Sequence, residues 1–112
     1  MTTVTSERSG DIVIVHAGPP RLMHPSLAEF SNSASGALAE GTRKLVIDLS
    51  KVEYLDSAAI GCLMDLYRQA TASGAKLKLA GVQRRVETML TLVGANQFME
   101  IYPDAAAAVN SF

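Results

Sequence analysis

The sequence predicts an α/β fold: a central mixed, mainly parallel sheet of four to five strands with about four helices packed on it, as one domain spanning residues 1–112. Three observations carry that prediction. Residues 44–49, Lys-Leu-Val-Ile-Asp-Leu, form a nearly continuous apolar run rather than an alternating one, the mark of a strand covered on both faces. Beyond it, stretches of helical period separate short apolar strands, and such connections imply right-handed crossovers between parallel neighbours. Finally, 48% apolar and 19% charged residues in 112 positions suffice for one packed core, and the length is too short for two ordinary domains.

In chain order, residues 4–9 read as an edge strand, Gly10-Asp11 as a turn, and Ile12 to Val15 as its hairpin partner. Gly18-Pro19-Pro20 ends that strand, since proline donates nothing to a sheet ladder. After His24-Pro25 a helix is expected, with Leu27, Phe30, Ala34 and Leu38 on one face and Gly41 as its stop. Ser31-Asn32-Ser33 and Ser35-Gly36 make its middle weak in helix propensity. Residues 44–49 are the central strand. A helix over 57–72 would turn Ile60, Leu63, Met64 and Tyr67 inward and Asp65, Arg68 and Gln69 outward, closing at Ser73-Gly74. Residues 76–80 form the next strand. A helix over 83–93 would bury Val86, Leu90 and Val93 before Gly94. Residues 98–102 read as a short last strand, and Pro103 opens a final helix through the alanine run 105–108.

Composition excludes several classes of function. The net charge is −1 with acids and bases interspersed, so no basic stripe supports nucleic-acid binding and no basic amphipathic helix supports a membrane surface. No segment approaches the roughly 20 apolar residues of a membrane span, and the N-terminus lacks a signal core. The lone Cys62 rules out an internal disulfide, and no ligand cluster suggests a metal. The expectation is a cytoplasmic protein that needs no cofactor, touches no nucleic acid and does not insert into membranes.

The most informative stretch follows the central strand. Tyr54-Leu55-Asp56-Ser57-Ala58-Ala59-Ile60-Gly61 delivers a carboxylate and a hydroxyl to a helix start, where unpaired N–H groups favour negative charge. Asp and Ser are also ordinary N-caps, which needs no function at all. With the order strand, turn, Asp-Ser, helix in hand, the chain resembles the STAS family, the domain shared by sulphate transporters and anti-sigma factor antagonists. The match is strongest over 49–61 and extends to Gly74-Ala75-Lys76-Leu77 and Met89-Leu90-Thr91-Leu92-Val93-Gly94. The resemblance implies that Ser57 is phosphorylated by a serine kinase that is also an anti-sigma factor. The unmodified protein would bind that kinase and free the sigma factor, and a phosphatase could reset the switch. The contact surface implied is Asp56, Ser57, Ala58 and Ala59, with Arg21, Met23 and His24 beside it. Met23 stands where many antagonists carry an acid, and Ala58-Ala59 where members commonly have Ser-Gly. The rival reading is a STAS scaffold subunit of a stress-signalling or lipid-transport complex.

Other readings are weaker. Asp48 is not a receiver-type phosphoacceptor, because the strand ending His16-Ala17-Gly18 lacks the acidic pair that would hold magnesium. It is expected to make a structural hydrogen bond. Ser57 with His16 or His24 lacks a nucleophile elbow, so the protein is not expected to be an enzyme. Cys62 reads as packing. Arg84-Arg85 opens a helix where positive charge is mildly unfavourable; a solvated pair is the simplest account, and contact with an acidic partner surface or a nearby phosphoserine is the alternative. Met64 and Met89 suit a core; Met23 and Met99 suit a surface.

Overall fold

The computed structural model describes residues 4–18 and 20–112. Strands β1 (Val4–Ser9) and β2 (Ile12–Ala17) form the expected antiparallel hairpin, and β3 (Arg21–Leu22) follows. Next come α1 (Ser26–Ala39), β4 (Lys44–Asp48), β5 (Tyr54–Leu55), α2 (Ser57–Ala72) and β6 (Lys76–Ala80). The chain ends with α3 (Arg84–Leu92), a 3-10 turn Ala95–Gln97, β7 (Glu100–Tyr102) and α4 (Ala105–Asn110). The main sheet runs β1-β2-β4-β6-β7, antiparallel at β1–β2 and parallel elsewhere. A mixed, mainly parallel five-stranded sheet with four helices is therefore the fold, as the alternation of periods foretold.

Two layers cover the sheet unequally. On one face Val13, Val15, Leu45, Ile47, Leu77 and Leu79 pack beneath α1, α2 and α3, whose Phe30, Leu63 and Leu90 are fully buried. On the other, Ile12, Ile14, Val46 and Ala80 are covered by the short α4 through Ala108. Lys78 lies in this second layer, 4% exposed. Its ammonium donates to Ser111 Oγ at 2.8 Å and the Ser111 carbonyl at 3.2 Å, and sits 4.3 Å from the Phe112 ring centroid. A buried charge needs such partners, and they fasten the last helix to the sheet.

Several expectations are corrected. The inner face of α2 is Ala59, Leu63, Leu66 and Ala70; Ile60, Met64 and Tyr67 are only partly buried, because the stripe is rotated toward the small residues that let α1 approach. Val93 is 55% exposed, since the helix stops at Leu92 and Gly94, at φ 77°, turns the chain away. Phe98 is not in the last strand and is 53% exposed, whereas Met99 is buried. Pro103 precedes the last helix; Asp104 is its cap, accepting from the Ala107 N–H at 2.8 Å. The serine-rich middle of α1 is wholly helical, its propensity deficit overridden by Phe30, Ala34 and Leu38 in the core.

Asp48 makes the structural hydrogen bonds expected of it. Its Oδ1 accepts the Ser50 N–H at 2.9 Å, and its Oδ2 lies 2.6 Å from His16 Nδ1, one strand over. His16 Nε2 lies 2.6 Å from Glu7 Oε1. Carboxylates only accept, so both ring nitrogens must donate, and the ring is an imidazolium. Burial works against that charge, but the hydrogen bonds and charges of Glu7 and Asp48 outweigh it and raise His16 above its usual 6.5. Burial likewise opposes the Asp48 carboxylate, yet the Ser50 N–H and His16 bring it below its usual 3.8. The histidine's contribution is complete below pH 6.5 and fades as pH rises through its raised value. The aspartate's is complete above about pH 4 and fades as pH falls through its lowered value. In His16→Gln, the stability deficit against wild type is expected to be largest near pH 5 to 6 and to shrink toward pH 9, by chemical denaturation at each pH. A deficit independent of pH would refute the imidazolium assignment.

Candidate functional site

Two loops at the carboxyl ends of the parallel strands build the site. The segment after β2 enters β3, and the segment after β4 enters β5; the two pair in parallel, Arg21 opposite Tyr54 and Leu22 opposite Leu55. This two-stranded sheet was not anticipated, because two-residue strands carry no readable period. Leu22 and Leu55 anchor it in the core at 0% and 2% exposure, and the Pro20 carbonyl accepts the Glu53 N–H at 2.6 Å and the Tyr54 N–H at 3.1 Å. The pairing brings the segment 21–24 alongside the segment leading to Ser57.

Asp56, half-buried and extended (φ −87°, ψ 177°), caps α2, its Oδ1 accepting the Ala59 N–H at 2.8 Å. Ser57 is the first helical residue, exposed, and among the described residues no group holds its hydroxyl. Ala58 is exposed beside it. Ala59 is a correction: it is wholly buried, because the third helical position points into the core, so it shapes the surface from beneath and offers none itself. Arg21, Met23 and His24 are exposed on the neighbouring loop, and the Met23 carbonyl accepts the Leu27 N–H at 3.0 Å, tying that loop to α1. Asp56→Ala is expected to cost about 1 kcal/mol through loss of the cap, with Asp56→Asn close to wild type. Equal melting of the two variants would remove the cap from the account.

The arrangement has little chemistry of a reaction. His16 is committed to Glu7 and Asp48, so it cannot serve Ser57 as a base. Burial, with the Asp65 charge, pushes the Cys62 thiol up despite a hydrogen bond from Ser31, and so favours the neutral thiol. Among the described residues no group of three His, Cys, Asp or Glu side chains could hold a metal, and no helix is long and apolar enough to cross a membrane. Two depressions are lined by residues on either side of Ser57 in the chain, Ala58 in one and Tyr54 in the other. One of ≈ 290 Å³ lies between α1 and α2, lined by Ser31, Ala58, Gly61 and Cys62 among others; the second, of ≈ 350 Å³, is lined by Pro20, Arg21, Glu53, Tyr54 and Arg85. Glu53 escaped the sequence reading; Tyr54 and the Arg84-Arg85 pair were noted there, but only the pairing of β3 with β5 shows that Arg21, Tyr54 and Arg85 line one cleft. A larger polar cleft of ≈ 420 Å³ between β1 and α1, lined by Arg8, Glu40 and Thr42, lies at the opposite end of the parallel strands.

Comparison with known proteins gives the family and agrees with the fold. The family model for the STAS domain matches residues 3–108. A Thermotoga maritima protein described as a candidate anti-sigma factor antagonist is 28% identical over 72 residues, 64% of each chain, so the match spans just under two thirds of that relative. An anti-sigma factor antagonist from Mycobacterium paratuberculosis superposes with a TM-score of 0.86 at 19% identity, covering 97% of this chain and 92% of that one. The anti-sigma factor antagonist SpoIIAA superposes in its unphosphorylated form with a TM-score of 0.81 at 15% identity over 96% and 94% of the two chains. Its phosphorylated form, from Bacillus, gives 0.76 at 14% over 96% and 97%.

Proposed function

From the premise that the chain belongs to the STAS domain family, we propose that it is an anti-sigma factor antagonist, working as one domain in the cytoplasm and controlled by phosphorylation of Ser57. The observation that carries this reading is an exposed serine with an uncommitted hydroxyl at the first position of a sixteen-residue helix. Such a position accepts a phosphate without refolding, because the free N–H groups of the first turn and the helix dipole favour the anion. The names of relatives point the same way, and SpoIIAA is known in both phosphorylated and unphosphorylated forms. In this reading the unmodified surface of Asp56, Ser57 and Ala58, with Arg21, Met23 and His24 beside it, captures a serine kinase that is itself the anti-sigma factor. Capture frees the sigma factor, and a phosphatase restores the binding form. The protein acts by docking and not by turnover. Incubation with the serine kinase and ATP, followed by peptide mass mapping, is expected to place one phosphate on Ser57 and none after Ser57→Ala. Phosphate elsewhere, or none, would overturn the proposal.

A further inference from the structure

We propose that Arg21, Arg84, Arg85 and Tyr54 form a docking face for an acidic segment of the captured partner, an inference that rests on the partner-binding reading above. The ≈ 350 Å³ cleft is lined by Pro20, Arg21, Glu53, Tyr54 and Arg85, drawn from β3, β5, the residues before them and the first turn of α3. The walls are set by rigid parts. Arg21 leads into buried Leu22 on β3, Tyr54 into buried Leu55 on β5, and α3 packs against β5, which brings its first turn to the cleft.

The arginines are not explained by the fold. Arg84 and Arg85 occupy the first turn of α3, where a cation opposes the helix dipole, and the Gln83 cap makes no side-chain bond to the helix. Among the described residues no carboxylate pairs with Arg21, Arg84 or Arg85, although Glu53 lines the same cleft and other cations, Lys44 with Asp11 and Arg68 with Asp65, do find partners. Two guanidiniums against one carboxylate, with Arg84 next to Arg85 in the chain and the amino end of α3 adding its partial positive charge, leave a local positive excess on a chain whose net charge is −1. Tyr54 is 39% exposed, and Met23, 38% exposed, adds an apolar margin on the neighbouring loop. Arginine with tyrosine is the pairing that carries energy at protein interfaces, and guanidinium meets carboxylate in two parallel hydrogen bonds. A polyphosphate backbone fits less well, since Glu53 sits inside the cleft and no basic stripe extends from it.

The face also strengthens the switch. Ser57 is three residues past Tyr54, so their α-carbons are at most about 11 Å apart. A phosphate there adds about −1.5 to −2 charges and cancels the positive excess that draws the acidic segment in.

The test uses fluorescein-labelled octaglutamate, followed by fluorescence anisotropy at low and physiological ionic strength. Wild type is expected to bind, with affinity falling as salt rises. Arg21→Gln combined with Arg85→Gln is expected to weaken binding about tenfold or more, whereas Arg43→Gln, at the far end of the strands, leaves it unchanged. Octaglutamate binding that is absent or insensitive to the double substitution would overturn the assignment. So would tighter binding of oligothymidine through the same arginines. Ser57→Ala is expected to keep octaglutamate binding, so absence of phosphate on Ser57 sinks the switch and leaves the docking face, while loss of the arginine effect does the reverse.

Discussion

Ser57→Asp is expected to weaken capture of the kinase partner by at least about a hundredfold while leaving the melting temperature within a few degrees of wild type. A hundredfold is about 2.7 kcal/mol, which a charge desolvated against a closely packed protein face readily supplies. The substitution sets an anion beside the Asp56 carboxylate and above exposed Ala58, on a surface whose small side chains let a partner pack flush. The fold should tolerate it: the side chain is exposed, and the helix N-terminus stabilises a negative charge by about 0.3–1 kcal/mol, which offsets repulsion from the cap. Aspartate carries one charge and little bulk, so its effect is a lower bound on that of the phosphate. Ser57→Ala should bind as wild type. Titration calorimetry with the purified partner separates these results, and an aspartate variant that binds like wild type would mean that charge at this position does not govern docking.

How much of this could be seen in the chain depends on the length of the pattern involved. The runs at 12–15, 44–49 and 76–80 are long enough, and covered on enough sides, for their apolar continuity to announce a strand, and α2 begins and ends where Asp56 and Ser73-Gly74 say it should. The place of Ser57 was legible for the same reason: it follows the Asp56 cap at the start of α2. Features made by distant segments were not legible. The β3–β5 pair joins two dipeptides more than thirty residues apart, and the cleft between Arg21 and Arg85 exists only because of it. The His16 clamp needs three strands in register, Glu7 opposite Ile14 and His16 opposite Asp48. Ala59 was misplaced by treating four successive residues as one surface, when a helix turns the third of its first residues inward.

The other large effect is expected at Gly81, in the loop leaving β6. A Cβ there would lie 2.8 Å from Ser50 Cβ, 3.1 Å from Ser50 Cα and 3.2 Å from Asp48 Oδ1, on a backbone at φ +68°. Neither side can retreat. The Ser50 N–H is held by Asp48 Oδ1 at 2.9 Å, its carbonyl accepts from Gln83 Nε2 at 3.0 Å, and the Gly81 N–H donates to the Tyr102 carbonyl at 2.9 Å. Gly81→Ala therefore combines left-handed strain of about 1–2 kcal/mol with overpacking of about 1–3 kcal/mol. The expected loss is about 2–5 kcal/mol, or a melting temperature lower by about 10–20 °C. Ser50→Gly alone should cost about 1 kcal/mol, through its lost side-chain hydrogen bond to Asp48 and added backbone freedom, and in combination with Gly81→Ala it should cost less than the sum of the two by removing the nearest contact, though not the strain. The displaced Asp48 carboxylate should also release His16, lowering the histidine's titration midpoint toward its ordinary value in an NMR pH series. A Gly81→Ala protein that melts like wild type and keeps the raised His16 midpoint would show that the two loops are free to part, and the ends of β4 and β6 could not then be the rigid base on which the Ser57 loop is held.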